Sequence, residues 1–203
     1  MLISFEGLDF SGKTTQIKLL VDRLEKTNLE FLLVREPGGT QISEKVRNIL
    51  LDIKNEEMTD IAELFLFSAA RNQLVNQVII PAINNNKIVI CDRFYDSTTA
   101  YQGYGRGIDL EAINKINEIA TQKTKPNITF FIDIPIEEIK RRNLEANFPT
   151  DRMESGGTEF YRRVRNGYLQ IANNEPERFI VIDGLQNIEN IHKQIWEKIL
   201  KLL

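Results

Sequence analysis

Gly7, Gly12, Lys13 and Thr14 stand in the stretch GLDFSGKTT at the spacing G-x-x-x-x-G-K-[ST]. Two glycines so placed permit a tight turn whose backbone N–H groups converge on phosphate oxygens. Lys13 then reaches the terminal phosphates, and Thr14 offers a hydroxyl to Mg2+. Gly7, Leu8, Asp9, Phe10, Ser11, Gly12, Lys13, Thr14 and Thr15 are therefore expected to cradle the phosphates of a nucleotide. Asp9 is out of keeping with that task, since a carboxylate facing phosphates is costly unless it holds something else. A ligand-free strand-to-helix turn is the plain alternative.

A cradle works only between a buried strand and a helix, and the flanking sequence supplies both. The apolar run LISFE precedes it, and Ile17, Leu20, Val21 and Leu24 follow at helical spacing. Similar unbroken runs recur at 31–36, 88–92, 128–133 and 179–183, separated by helical stretches. Such alternation predicts an α/β fold with a parallel sheet covered by helices on both faces. Ligands in these sheets bind beyond the strand carboxyl ends, which puts Glu6, Glu36, Asp92 and Asp133 on or near the functional rim. Asp92 is the first choice to hold Mg2+ through water, with Asp133 as its competitor.

Residues 59–84 read as one long helix with apolar positions on more than one face. The segment 141–165 carries six arginines around NFPTDRMESGG. Pro149 and the Gly156-Gly157 pair mark a loop, read here as a mobile lid over about 141–157. Arg162, Arg163 and Arg165 are expected to lie on a solvated helix face.

Composition narrows the field. The chain has 203 residues, 42% hydrophobic and 27% charged, which suits one globular domain over 1–203. A net charge of -3 argues against a general nucleic-acid binder. The lone Cys91 excludes an internal disulfide and favours a reducing compartment. Neither a membrane span nor a signal peptide is expected, so the chain reads as a cytoplasmic protein. No NKxD element is present to read guanine. The small size and arginine-rich lid instead favour a small-molecule phosphotransferase whose lid excludes water.

REPGGT at 35–40, LFLFSAARNQ at 64–73 and DRFYDSTTAYQGYGRG at 92–107 together resemble the thymidylate kinase family, over nearly the whole chain. The resemblance implies a P-loop NTPase fold with a five-stranded parallel sheet, ATP as phosphoryl donor with Mg2+, dTMP as acceptor in dTTP biosynthesis, and a homodimer. It also implies roles. Arg93 holds the dTMP phosphate, Arg71 lies between that phosphate and the thymine O4, and Phe67, one turn before Arg71, stacks on the base. Asp9 takes the sugar 3′-hydroxyl. Arg35, Glu36 and Arg47 complete the acceptor side, although a surface ion pair would also account for Glu36.

Tyr101 against the sugar would disfavour a 2′-hydroxyl, while Gln102, Ser97 and Thr98 can read the pyrimidine edge. Some family members carry an arginine where this chain has Phe10. In the branch without it, lid arginines supply the charge, and Arg152 and Arg141 match them here, beside Lys13 and Arg93. A homodimer face is expected around Phe65, Leu66 and Val75. Kinases for uridylate, cytidylate or guanylate, or a nucleotide-dependent binding protein without turnover, remain the rival readings.

Overall fold

The computed structural model describes residues 1–146, 152–153 and 157–203; the rest of the expected lid loop lies outside the described residues. Five parallel strands form the sheet: β1 (Leu2–Glu6), β2 (Phe31–Arg35), β3 (Ile88–Asp92), β4 (Ile128–Asp133) and β5 (Phe179–Asp183), in the order β2-β3-β1-β4-β5. β1 is central, with Ile3 opposite Ile90 of β3 and Ile128 of β4. Every residue of β1 is buried, as its unbroken apolar run requires.

Side-chain alternation divides the core between the two faces. Ile88, Ile90 and Phe130 point to one face, where they meet Leu20 and Leu24 of α1 (Lys13–Leu24) and Ile195 and Ile199 of α9 (Ile188–Leu200). Val89 and Cys91 point to the other and pack on Leu74, Val75 and Ile79. Phe131 shares that second face with Tyr168 of α8 (Gly157–Asn174), their rings stacked at 4.7 Å.

The long helix expected over 59–84 is present but not uniform. It runs as α3 (Asp60–Leu74), a π-helical turn (Val75–Ile79) and α4 (Ile80–Asn84). Pro81 lacks an N–H and its ring crowds the carbonyl four residues earlier, so a wider turn just before it is the low-strain way to continue. Thr59 caps α3 by accepting from the Ala62 N–H. A second π-helical stretch, Thr99–Gly105, follows α5 (Tyr95–Thr98) and leads to α6 (Leu110–Thr121). Thr40 caps α2 (Gln41–Leu51) by accepting from Ser43 N–H, while α7 (Ile136–Ala146) runs toward the lid segment.

Val75 departs from expectation. It is 0% exposed in the core, so it belongs to no subunit face, whereas Phe65 is 57% exposed.

Candidate active site

α1 differs from its capped neighbours. Its N-cap is Gly12, in the left-handed region at φ 101°, with no side-chain cap and no acidic residue in the first turn. The opening amides of the helix are thus left for an anion. Lys13 donates to the carbonyls of Gly7 and Leu8 at 2.9 and 3.0 Å, which closes the turn on itself. Burial and the nearby Arg93 charge pull its ammonium down to about 8. Leu8 is buried in the core, so it and Gly7 shape the cradle through their backbone.

Two clefts meet at the sheet's carboxyl edge. One, of about 1400 Å³, is bordered by Asp9–Thr15, Arg35, Asp92 and Arg142. The other, of about 610 Å³, is bordered by Phe67, Arg71, Ser97, Thr98, Tyr101 and Gln102, with Leu51 and Met153. Asp9, Glu36, Arg47 and Arg93 border both. Every residue expected on the acceptor side therefore lines the smaller cleft except Arg35. Arg35 borders the larger one, where it pairs with Glu44 at 3.0 Å.

Arg93 sits at the junction of the clefts. Its φ of 69° lies in the left-handed region, and its side chain donates to Gly7 O and Asp9 Oδ1, each at 2.7 Å. Desolvation alone would raise the Asp9 carboxyl, but the charges of Arg93 and Lys13 hold it below the ordinary range. Beneath Arg93 lies Glu6, which accepts from Phe94 N at 2.7 Å, Ser97 Oγ at 2.6 Å and Tyr168 Oη at 2.9 Å. Its carboxyl is pushed up to about 7 by burial and then by Asp96.

Arg71 is almost fully buried. Nε donates to Glu36 Oε2 at 2.6 Å, Nη1 to Thr98 Oγ1 at 2.9 Å and Nη2 to Phe94 O at 3.3 Å. The ion pair anticipated for Glu36 exists, but it is buried rather than on the surface. Burial raises the Glu36 carboxyl against the opposing pull of Arg71. Glu36 Oε1 and Tyr101 Oη are buried without a hydrogen-bond partner among the described residues, so both are ready for a ligand.

The lid-segment arginines separate into distinct roles. Arg141 is exposed and pairs with Glu138 and Glu145 on its own helix. Arg152 is buried, with Nη2 at 2.6 Å from Glu63 and Nε donating to Leu50 O. Neither borders the cradle cleft in this structure. Arg142 does, donating to Phe10 O at 3.2 Å, and only the cradle's own fold brings that carbonyl to it.

Arg165 engages both carboxylate oxygens of Asp133 at 2.6 and 2.8 Å, and Arg163 donates to Gly105 O. Arg162 and Arg163 both keep to the expected exposed face, and only Arg165 of that trio is partly buried, against Asp133. Glu63 and Arg106 were not singled out by sequence as site residues, and Arg142 stood only as an alternate to Arg152. For Glu63 the signal was available: an acid four residues before Phe67 and eight before Arg71, inside an otherwise apolar helix.

A parallel sheet with an uncapped Gly-Lys-Thr helix start and a second, arginine-rich cleft beside it defines a P-loop phosphotransferase of the nucleotide kinase class. The family model described as thymidylate kinase matches residues 5–195. A thymidylate kinase from Prosthecochloris aestuarii is 49% identical across 98% of this chain and 93% of its own length, and one from Kosmotoga olearia is 43% identical across 100% and 97%. The crystal structure of thymidylate kinase from Ehrlichia chaffeensis superposes with a TM-score of 0.79 at 39% identity, covering 98% of each chain. The chain belongs to the thymidylate kinase family.

Proposed function

We infer that the chain transfers the γ-phosphoryl group of ATP to the 5′-phosphate of dTMP, giving dTDP and ADP. The observation that carries this reading is the pair of abutting clefts with Asp9, Glu36, Arg47 and Arg93 common to both. Two nucleotides entering from opposite sides meet there with their phosphates end to end. In-line attack by a dTMP phosphate oxygen needs no protein nucleophile, because positioning and charge neutralisation lower the barrier.

Lys13 and the open amides of α1 take the donor phosphates, and Arg93 takes the acceptor phosphate. Arg142 is the lid-stem arginine that reaches the donor side; Arg152 braces the acceptor side through Glu63. Phe67 offers its ring to the base, and the remaining Nη2 hydrogen of Arg71 faces the base carbonyl. Asp9 takes the sugar 3′-hydroxyl, Glu36 and Tyr101 present unpartnered buried polar atoms on the same cleft, and Tyr101 against the sugar disfavours a 2′-hydroxyl. Gln102, with Ser97 and Thr98, reads the pyrimidine edge.

Mg2+ takes oxygen ligands and keeps most of its shell in water and substrate phosphate. The Thr14 hydroxyl and the Asp92 carboxylate, both on the cradle cleft, fit that demand. When bound, the ion supplies neutralisation of the phosphate charge.

We read the chain as a single domain, since all the core clusters share one sheet. A homodimer is supported by exposed Ile42 and Ile49 on α2, Ile61 and Phe65 on α3, and Ile119 on α6, which are neighbouring helices. No helix among the described residues is long and apolar enough to cross a membrane.

An ADP-release assay across the nucleoside monophosphates tests the function. Turnover is expected with dTMP, and preference for a ribonucleotide would defeat the role given to Tyr101.

A further inference from the structure

We propose that Glu63 is a positioning residue for specificity: it locks the Gln102 side chain so that the pocket receives a pyrimidine bearing N–H at ring position 3. The proposal rests on the reading of Gln102 as a base contact. A primary amide has a donor end and an acceptor end that differ little in shape, so an unrestrained glutamine could serve thymine by one orientation and cytosine by the other. Gln102 is not unrestrained. Its Nε2 donates to Glu63 Oε1 at 2.8 Å, and both side chains are buried.

Glu63 itself is held by two guanidinium groups. Arg106 donates Nε to Oε1 at 3.2 Å and Nη2 to Oε2 at 3.0 Å, and Arg152 Nη2 approaches Oε2 at 2.6 Å. Burial would raise this carboxyl, but hydrogen bonds from Arg106 and Gln102 and the Arg106 charge outweigh it and keep it below the ordinary range. An ionised carboxylate only accepts. A reversed amide would therefore set oxygen against oxygen in a buried place and leave the carboxylate short of a donor.

The consequence is that Gln102 Oε1, which has no hydrogen-bond partner among the described residues, is the atom presented to the cleft. The N3–H of thymine donates to it. The N3 lone pair of cytosine is repelled by it. Arg106 and Arg152 thus act through Glu63 on the choice of base, although neither was placed against the base itself.

The test is a double-mutant cycle on the ratio of dTMP to dCMP affinity, read by isothermal titration on folded protein. Glu63→Gln, which can donate or accept, is expected to reduce the ratio at least about 10-fold, because a site with a fixed acceptor rejects a mismatched partner far more strongly than one that can adapt. Glu63→Asp retains an acceptor-only group and is expected to keep most of the discrimination. In a Gln102→Ala background Glu63→Gln should change the ratio no further.

An unchanged ratio in folded Glu63→Gln, or an equal fall with and without Gln102, overturns the proposal. If Gln102→Ala alone leaves the ratio intact, the reading of Gln102 fails and takes the proposal with it, while dTMP turnover by the unaltered protein still stands. Should Glu63→Gln not fold, the unaltered protein decides by NMR. Its Gln102 amide protons, assigned by their loss in Gln102→Ala, must exchange slowly with water even without nucleotide, and rapid exchange refutes the lock.

Discussion

Arg93, the residue proposed to take the acceptor phosphate, stands in a conformation that a β-carbon disfavours. A non-glycine residue at φ 69° costs of order 1–3 kcal/mol, and the surroundings must hold it there. They do so through Arg93 N donating to Phe5 O and through Glu6 gripping the next amide. Lysine could keep the charge but not the forked contacts, so Arg93→Lys is expected to lower kcat/KM for dTMP by at least about 10²-fold in steady-state assays. Arg142→Ala should cut kcat by at least about 10²-fold with the acceptor KM little changed. Arg141→Ala, which breaks only solvated pairs, should stay within about 2-fold of the parent. A reversed order of the two arginines would refute the assignment.

Glu6 makes a pH-dependent prediction. The folded chain binds its proton more tightly, at about 7 against an ordinary 4.5. The stability this proton confers is complete below pH 4.5 and is lost as pH rises through 7. Glu6→Gln, permanently neutral, should therefore gain on the parent protein between those values in urea unfolding, and a constant difference at pH 5 and pH 8 would contradict it.

On the proposed function, α3 is the element that organises acceptor recognition. Glu63, Phe67 and Arg71 recur every four residues, so one face of the helix carries the positioning carboxylate, the aromatic ring and the buried guanidinium. Its start is fixed by Thr59, and Thr59→Ala should cost about 1 kcal/mol in a denaturant titration. Beside the packing of Leu74 on β3, the helix is tied to the residue after β2 by the Arg71–Glu36 pair, both side chains nearly inaccessible. Removing one partner strands the other charge, so Glu36→Gln is expected to cost about 3–5 kcal/mol, far more than loss of any exposed pair.

The clefts exist because of how the strands are ordered. β1 and β3 lie side by side although distant in sequence, which brings the cradle after β1 against the Asp92-Arg93 turn after β3. This is the crevice where the chain changes direction across the sheet. On the outer side of α2, α3 and α6, Ile42, Ile49, Ile61, Phe65 and Ile119 stay exposed among the described residues. Phe65→Glu should shift the protein to monomer in sedimentation velocity; an unchanged mass would place any dimer face elsewhere.

The strands and the glycine-lysine turn were legible because their signals are local, whereas the acceptor-side residues came from the family resemblance and the fold gathers all of them but Arg35 around one cleft. Unbroken apolar runs specify strands buried on two faces, and a glycine-flanked turn before a lysine specifies the amides that follow it, whatever lies beyond. Val75 and the partners of Arg141, Arg142 and Arg152 were not legible, because helical spacing gives a face but not what covers it, and a guanidinium on a long flexible stem takes whichever carboxylate or carbonyl the fold brings near. Arg141 and Arg142 are adjacent in the chain and chemically identical; both pair with Glu138 of their own helix, but Arg142 alone also reaches Phe10 O. Arg152 is committed to Glu63, a partner far away in sequence, and only packing could join them.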